Sequence, residues 1–559
     1  MNGQAAEPGQ FDAISLEIMW SRLIGIADDM WTTVLRTAVS TIIGAAQDFG
    51  CEILDARAGS VAHSHRSMPV FNIVMPAVTR AVIARFPVET MRKGDVYATN
   101  DPWLCAGHLD DIAIITPVFY RDRVVAFSVT VAHASSIGGA LTSRTVRDIY
   151  EEGLRIPAIK LCDAGQRNET AWAFIHDNVR TPEMVLTDIE AQLTANELGA
   201  RRIVAFLEEY GLPDLESLAA TIQAHSERAM REAVRAMPNG VYESEMHADG
   251  LEQPVRLQCR ITVAGDELEI DYAGTDPESP RGGINCTLIY TQAHTVYPLK
   301  CLLSPAVPAN EGTFRPFVTK APPGSILNCN VPASVGSRTR TGWHIHALLF
   351  AALEPVMPER VQAGNGLMQS VHVYGQEHNG RFYNAHFFAG GGRGASVGRD
   401  GIGRNCFPSS ARNVPVEVFE ARAPVLIRAR NLRPDSAGPG EWRGAFGHQI
   451  EFAPLPAHGL PVSFFVNPDR LRFPPKGLAG GEDGSRTAVT VNGRTLSAAE
   501  MGAGQVTLQS GEERLVLAVP GGAGYGAVER RDPQLVAADI ESGLVSPETG
   551  PPNIRVPGA

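Results

Sequence analysis

The sequence lacks any apolar run long enough to cross a membrane. Its longest apolar stretch, around Ala347 to Leu353, is far shorter than the roughly 20 residues that a spanning helix needs. The first fifteen residues have neither a basic region nor an apolar core, so we expect no secretory signal. Basic charge is scarce as well: 49 Lys and Arg face 61 Asp and Glu, which disfavours nucleic acid as a partner. We therefore expect a cytoplasmic protein that binds neither membranes nor nucleic acid.

Paired cysteines are also absent. The eight cysteines stand singly, at positions 51, 105, 162, 259, 286, 301, 329 and 406. Because none of them forms a CxxC pair, zinc-finger and thioredoxin-like sites are disfavoured. Scattered thiols in a long chain are typical of a reducing compartment.

The hydrophobic pattern of the N-terminal part predicts helices followed by a hairpin. Residues 14–47 repeat apolar side chains at helical spacing, with Ser15 as the candidate N-cap and Gly50 as the candidate stop. Two β-rich runs, 112–119 and 124–131, flank a turn of four residues. This arrangement is typical of a β-hairpin.

The remaining pattern completes an α+β fold. Residues 145–236 predict a helical insert, which ends at the turn signal Pro238-Asn239-Gly240. A second hairpin and a buried helix from Cys286 to Leu303 follow, and short strands between glycine-rich segments fill the C-terminal half. We predict N-terminal helices packed on a mixed β-sheet, the helical insert and a β-rich C-terminal half. Because 559 residues exceed one hydrophobic core, we divide the chain into three regions: 1–240, an α+β region with the candidate metal site; 241–440, a central mixed region; and 441–559, a β-rich region with an extended tail.

One loop concentrates groups that bind metal ions. Residues 100–111 contain His108 and three carboxylates, and His133 ends the second strand of the hairpin. With the turn near Arg121-Asp122, antiparallel pairing places Asp111 opposite residue 132 or 133. The Cβ atoms of Asp111 and His133 would then be about 4.5–5.5 Å apart. Two imidazoles and a carboxylate suit Zn²⁺ or Mn²⁺, whereas the alternative is a structural histidine beside a solvated acidic turn.

Seven separate motifs lie along the chain. They are GDVYATNDPWLCAGHLDDIAIITPVF, VAFSVTVAHASSIGG, EEGLRIPAIKL, AGTDPESPRGGIN, PPGSILN, the segment 388–404 and DSAGPGEWRGAFG. Together they resemble the hydantoinase B/oxoprolinase family over about residues 12–530. This family includes N-methylhydantoinase B subunits, the C-terminal half of 5-oxoprolinases, caprolactamase-like enzymes, and subunits of acetone and acetophenone carboxylases.

The resemblance implies a metal-binding B-type subunit of an ATP-dependent amidohydrolase. It implies that Asp48, His108, Asp111 and His133 bind a divalent metal, Zn or Mn, with Asp110 as the alternative carboxylate. Asp48, Asp110 and His133 are the expected catalytic residues, and Asp48 or Asp110 would accept a proton. A hydantoinase A-like partner would bind ATP and Mg and phosphorylate a cyclic amide, namely a hydantoin, oxoproline or lactam. Two A/B pairs would form a heterotetramer.

Two positions depart from the family's pattern. Ala134 stands where many relatives have a second His, and Ser136 stands where relatives often have Asp. Loss of such groups would alter the substrate or weaken the metal site. These departures keep open a non-catalytic scaffold for the ATPase subunit. The resemblance also leaves open the metal-binding subunit of an ATP-dependent carboxylase.

Four further side chains are candidates for the site or its surroundings. His63 and His65 lie in a loop that the resemblance places near the same cavity. Arg338 and Arg340 could bind a substrate carboxylate or phosphate, but a structural ion pair is the default interpretation.

Other motifs favour structural roles. His344 and His346 begin an apolar helix, where core or interface roles are favoured. The glycine-rich loop 389–403 lacks the GxxxxGK[ST] pattern and predicts tight turns near a subunit contact. Ser396 lies in a GxSxG match, but the residues after it are a poor helix start, so we do not expect a nucleophile there.

Overall fold

The structure, a computed structural model, describes residues 11–403, 405–497 and 500–547, apart from the side chains of residues 502 and 503. The chain forms two compact units. Unit 1 comprises Met1–Val241, Ile261–Ala273 and Pro277–Arg338, and unit 2 comprises Tyr242–Arg260, Gly274–Asp276 and Thr339–Ala559.

The described residues contain both helices and antiparallel sheets, which confirms the predicted α+β class. The α-helices are α1 (Ala13–Thr37), α2 (Thr41–Gly44), α3 (Phe71–Arg85), α4 (Glu169–Asn178), α5 (Pro182–Glu209), α6 (Glu216–Arg235), α7 (Leu288–Leu303), α8 (Glu311–Phe314), α9 (Thr339–Gly342), α10 (Ile345–Leu353), α11 (Val416–Glu420) and α12 (Pro533–Glu541). The strands are β1 (Phe49–Asp55), β2 (Ser60–His63), β3 (Val96–Thr99), β4 (Asp111–Tyr120), β5 (Arg123–His133), β6 (Ile159–Asp163), β7 (Gln166–Arg167), β8 (Gly240–Ala248), β9 (Val255–Ala264), β10 (Glu267–Asp271), β11 (Phe317–Lys320), β12 (Met368–Gln376), β13 (Phe382–Gly390), β14 (Val425–Leu432), β15 (His448–Pro454), β16 (Val462–Asn467), β17 (Ala488–Val491), β18 (Arg494–Thr495), β19 (Gln505–Leu508) and β20 (Leu515–Ala518). No helix in the described ranges has both the length and the apolar character that a membrane span requires.

A seven-stranded sheet in the order β2-β1-β5-β4-β3-β6-β7 forms the centre of unit 1. Its described pairings are all antiparallel, whereas unit 1 also contains the parallel pair β10–β11. The predicted hairpin is β4–β5, joined by Arg121 and Asp122, which both have positive φ. Such a two-residue turn matches the twist of antiparallel strands. A register shift of one residue between Val118 and Phe119 then pairs Asp111 with His133 and not with Ala132.

Alternating side chains of β4 enter two cores. Ala113 and Ile115 belong to one apolar cluster, which also contains Phe71 and Met75 of α3. Ile112 and Ile114 belong to a second cluster, with residues of α4 and α5. Since successive side chains of a strand point to opposite faces, the sheet is covered on both sides. The ends of its central strands are therefore held rigidly.

The first helix begins earlier than the sequence pattern predicted. Asp12, and not Ser15, is the N-cap of α1, and its carboxylate accepts hydrogen bonds from the backbone N–H groups of Ile14 and Ser15, each at 3.0 Å. Gly50 does not end this helix, because it lies within β1. A carboxylate satisfies the free N–H groups of a first turn as well as a hydroxyl does, so both residues fitted the pattern.

The C-terminal half is β-rich, as predicted. In unit 2, β13-β12-β16-β19 and β14-β15-β20-β17-β18 form two antiparallel sheets. The predicted tail contains a helix, α12, and beside it Arg531 pairs with Asp400 and Asp539. Residues 548–559 of this tail lie outside the described residues.

Candidate metal centre

The loop between β3 and β4, which several hydrogen bonds hold in place, carries the first candidate ligands. The side-chain amide of Asn100 donates to the carbonyl groups of Leu109 and Leu154, at 2.6 and 2.9 Å. Its carbonyl oxygen accepts from the backbone N–H of Ile156 at 2.6 Å. Asp101 accepts hydrogen bonds from the guanidinium of Arg155, so this carboxylate has a structural role. The loop is thus fixed from both ends.

Three predicted residues converge at the end of the central hairpin. His108 Nε2 lies 2.8 Å from Asp111 Oδ2, and His133 Nδ1 lies 3.2 Å from Asp111 Oδ1. One ligand atom from each of His108, Asp111 and His133 lies within 4.8 Å of the other two. The His108 and Asp111 side chains are only 4% and 2% exposed. Sequence-distant groups therefore share one buried volume.

Asp48 lies beside this group, just before β1. Phe49 pairs with Ala132, and the backbone N–H of His133 donates to the carbonyl of Asp48 at 3.1 Å. The side chains remain within reach, with Asp48 Oδ2 at 4.0 Å from His133 Nδ1. β1 thus brings the fourth predicted residue to the same end of the sheet.

Asp110 faces the opposite nitrogen of His108. Its Oδ2 lies 3.1 Å from His108 Nδ1, while its backbone carbonyl accepts from the N–H of Ala134 at 2.7 Å. Carboxylates in this position commonly orient a metal-binding imidazole. Asp110 is therefore placed to position His108.

Arg338 completes the charge balance around Asp111. Its Nη2 donates to Asp111 Oδ2 at 3.0 Å and its Nε donates to the carbonyl of Ala106 at 2.7 Å. The guanidinium also lies over the ring of Tyr290, 4.4 Å from its centroid. Of the two roles considered for Arg338, the structural ion pair is the one observed.

The charges shift the pKa values of the group in different directions. Burial raises the pKa of Asp48 to about 6 despite the nearby His133. Burial also acts on Asp111, but His108, His133 and Arg338 outweigh it and hold its pKa well below the usual range. For Asp110, His108 and His133 overcome burial and lower the pKa to about 2. The carboxylates around Asp111 therefore keep negative charge at neutral pH.

His133 responds to the same carboxylates. Burial alone would lower its pKa, but Asp111, Asp110 and Asp48 raise it to about 9. A divalent cation would compete with the proton on this imidazole, since only the neutral ring is a ligand.

The buried polar atoms of this group could be satisfied by a metal ion. Despite the short approaches, neither ring nitrogen of His108 nor Asp111 Oδ1 makes a hydrogen bond of acceptable geometry to any residue that the structure describes. Buried polar atoms are nearly always satisfied. A cation would satisfy His108 Nε2 and Asp111 Oδ1 together, while His108 Nδ1 faces Asp110. The set of imidazoles and carboxylates suits Zn²⁺ or Mn²⁺.

The other predicted histidines lie apart from this group. His63 ends β2, and burial lowers its pKa to about 4. His65 is exposed and lies 3.6 Å from Asp28. Neither belongs to the metal-binding group identified among the described residues.

Ala134 and Ser136, which depart from the family's pattern, make structural contacts. Ala134 is buried in the apolar cluster of β4 and α5. The Ser136 hydroxyl accepts hydrogen bonds from the backbone N–H groups of Gly138 and Arg180, at 3.4 and 3.2 Å. Ser136 therefore stabilises its own loop.

The glycine-rich loop of unit 2 forms turns, as expected. Ser396 and Arg399 are joined by reciprocal backbone hydrogen bonds, and no helix directly follows Ser396 in the described chain. A nucleophile elbow requires such a helix. His344 and His346 are both buried at the start of α10, which fits the expected structural roles.

Sequence reasoning missed Glu152. Its Oε1 accepts hydrogen bonds from the backbone N–H groups of Val335 and Gly336, at 2.9 and 2.7 Å. Burial raises its pKa to about 7, and Asp110 and His108 are near enough to influence it. Its place in EEGLRIPAIKL was the available signal, but its partners lie far away in sequence.

The chain is similar to known proteins along nearly its whole length. The profile of the family described as Hydantoinase B/oxoprolinase matches residues 12–528. A protein of Pseudomonas sp. (strain NS671), provisionally named as the B-type subunit of a D-/L-hydantoinase, is 31% identical over 563 residues, covering 96% of this chain and 94% of that protein. The crystal structure of ATP-dependent caprolactamase from Pseudomonas jessenii has a TM-score of 0.87 at 25% identity, with 97% of this chain and 96% of that chain covered. A nucleotide-free acetone carboxylase structure has a TM-score of 0.83 at 17% identity, covering 96% and 78%, and shows likeness of fold alone.

Proposed function

The chain belongs to the hydantoinase B/oxoprolinase family, and on this premise we propose that it is the metal-binding B-type subunit of an ATP-dependent cyclic amide hydrolase. The observation that carries the proposal is the convergence of His108, Asp111 and His133 in one buried group. Its substrate would be a hydantoin, oxoproline or lactam, opened in the cytoplasm.

Four residues would bind the cation: Asp48, His108, Asp111 and His133. Two imidazole nitrogens and two carboxylates suit Zn²⁺ or Mn²⁺, and leave room for water or substrate. When bound, the cation would act as a Lewis acid and lower the pKa of a bound water towards roughly 7. Arg338 would keep Asp111 oriented through its 3.0 Å contact.

The surrounding carboxylates divide the remaining tasks. Asp110, with a pKa of about 2, is a weak base and is better suited to orienting His108. Asp48, with a pKa of about 6, accepts a proton more readily. One oxygen of Asp48 could bind the cation while the other accepts a proton from the attacking water.

An ATP-binding partner would supply the activation. Opening an unstrained cyclic amide is slow, and phosphorylation of the amide oxygen makes it a better electrophile. We propose that a hydantoinase A-like subunit performs this step with ATP and Mg, and that two A/B pairs assemble. The names of the relatives support this, because one refers to the B-type component of a hydantoinase and another to an ATP-dependent caprolactamase.

Metal analysis of the purified chain tests the proposal. We expect about one equivalent of Zn or Mn in the wild type, and loss of the metal and of turnover with the A-type partner in Asp111→Ala and His133→Ala. His65→Ala is the matched control, because this imidazole is exposed and outside the group. Full activity with stoichiometric metal in either ligand variant would refute the proposal.

The reaction product separates the alternatives. With hydantoins, oxoproline and lactams as substrates, we expect a ring-opened amino acid. A new carboxylate formed from bicarbonate would instead assign the chain to an ATP-dependent carboxylase. A pure chain without metal that only stabilises its ATPase partner would indicate a scaffold.

A further inference from the structure

Two arginines of unit 2 are buried without an ionic partner among the described residues. Arg340 and Arg470 are only 6% and 1% exposed. Within the described ranges, no carboxylate oxygen lies within 4.0 Å of either guanidinium. Arg340 Nη1, Arg470 Nε and Arg470 Nη1 also have no hydrogen-bond partner there. Burial of an unpaired charge is strongly unfavourable, so these donors require an acceptor.

Both arginines are anchored to the same turn. Arg340 Nη2 donates to the carbonyl of Gly250 at 3.2 Å. The adjacent Asp249 carboxylate accepts from the backbone N–H groups that directly follow Arg470, those of Leu471 and Arg472, at 2.6 and 2.8 Å. The carboxylates of Asp249 and Asp469 each act electrostatically on both guanidiniums, so the unsatisfied donors surround the same two residues.

The nearby carboxylates are already engaged. Asp469 Oδ1 accepts from the backbone N–H of Arg470 at 2.6 Å and lies 3.2 Å from His344 Nε2. Asp249 receives a third N–H, from Phe473, at 3.2 Å. These carboxylates attract both guanidiniums electrostatically. Their oxygens nevertheless lie more than 4.0 Å from either guanidinium and are engaged with backbone groups and a histidine.

Another buried arginine of unit 2 has carboxylate partners for its guanidinium. Arg531 is 6% exposed, and its two terminal nitrogens each lie 2.9 Å from a carboxylate, of Asp400 and Asp539. Guanidinium donors match carboxylate and phosphate oxygens in geometry. We propose that Arg340 and Arg470 form a binding site for an oxyanion, a carboxylate or phosphoryl group of a ligand. This site does not depend on the metal centre.

Two experiments on the full-length chain, purified in chloride buffer, identify the oxyanion that binds Arg340 and Arg470. The protein is denatured and the released anions are quantified by ion chromatography. A second sample is titrated by calorimetry with inorganic phosphate and, separately, with acetate. We expect about one equivalent of a released oxyanion or saturable 1:1 binding of one of the two probes. Phosphate or acetate as the occupant distinguishes a phosphoryl from a carboxylate ligand.

Variants connect the binding to the two arginines. Arg340→Met and Arg470→Met should each weaken binding of the effective probe by about tenfold or more, because each removes charged hydrogen bonds. Arg472→Met is the control for local charge, since Arg472 is less buried and already donates to the carbonyl of Glu252. It should change the affinity by less than about threefold.

Several outcomes would overturn the inference. The arginines would have only a structural role if chloride were the sole anion released. The same conclusion would follow if no oxyanion were released and neither phosphate nor acetate bound. Equal binding by the wild type and both methionine variants would place the anion elsewhere. If Arg470→Met does not fold, Arg340→Met and the wild-type titration still decide the question.

Discussion

Glu152 is a carboxyl group held in a buried place by two backbone N–H groups, those of Val335 and Gly336. Its pKa of about 7 exceeds the ordinary 4.5 because burial disfavours the charged form. Below pH 4.5, Glu152 is protonated in both the folded and the unfolded state, so its shifted pKa does not lower the free energy of unfolding. As pH rises towards 7, only the unfolded chain releases the proton freely, so the folded state loses stability.

This titration predicts a pH-dependent effect of Glu152→Gln. The amide can still accept both N–H groups but cannot ionise. We expect the free energy of unfolding of the variant, relative to the wild type, to increase by about 2–3 kcal/mol between pH 5 and pH 8. Urea-induced unfolding at several pH values measures it. Glu151→Gln is the neighbouring control: Glu151 is only partly buried and Arg147 lowers its pKa, so its substitution should not produce this increase. A Glu152→Gln difference that does not vary with pH would contradict the prediction.

The site residues that could be predicted are those linked by short loops. Counting antiparallel pairs outward from the turn limited the partner of Asp111 to residue 132 or 133. The register shift between Val118 and Phe119, which the sequence does not indicate, makes this partner His133. The contact of Arg338 with Asp111 joins residues 227 positions apart, and no local pattern indicates it. The roles of Glu152 and Tyr290 likewise depend on packing between distant segments.

Helix α5 approaches its neighbours closely at Gly199. A Cβ atom on this glycine would lie 2.5 Å from Met30 Sδ of α1 and 2.5 Å from Ser128 Oγ of β5. Gly25, in α1, has nothing within 4 Å of a corresponding Cβ. The two glycines therefore differ in packing, although both lie within helices.

Alanine at the two positions should have opposite effects. Gly199→Ala should destabilise unit 1 by about 1–3 kcal/mol, because the added methyl group overpacks the contact between α5, α1 and β5. Gly25→Ala should stabilise by about 0.5–1 kcal/mol, because alanine favours the helix. Thermal unfolding of both variants measures the pair. Equal shifts of the same sign would show that packing at Gly199 is relaxed by movement of its neighbours.

Helices and strands could be predicted only where the signal lies within a short stretch of sequence. The β4–β5 hairpin and α7 follow from short-range pattern, and both are confirmed. β1 was not foreseen, since Gly50 resembles a helix stop and the strand depends on pairing with β5. Strand formation often rests on neighbours that are remote in sequence, whereas helical periodicity is visible within one segment.

At the scale of the molecule, the two proposed sites belong to different units. Asp48, His108, Asp111 and His133 all lie in unit 1, whereas Arg340 and Arg470 lie in unit 2. A ligand that binds the folded state stabilises the structure around it by mass action. Each site should therefore protect its own unit.

Hydrogen exchange followed by mass spectrometry tests this separation. If the proposed cation is bound, its removal by a chelator should increase exchange in peptides that cover β4 and β5, because the cation would link the end of this hairpin to Asp48, just before β1. Peptides that cover β12 and β16 of unit 2 should keep their exchange rates. Asp111→Ala should exchange rapidly in the hairpin with or without chelator, since it lacks a ligand. Two outcomes would contradict binding of the cation where the two imidazoles and the carboxylates meet. In one, the chelator changes the exchange rates of both units equally in the wild type. In the other, it changes the exchange rates of Asp111→Ala as much as those of the wild type.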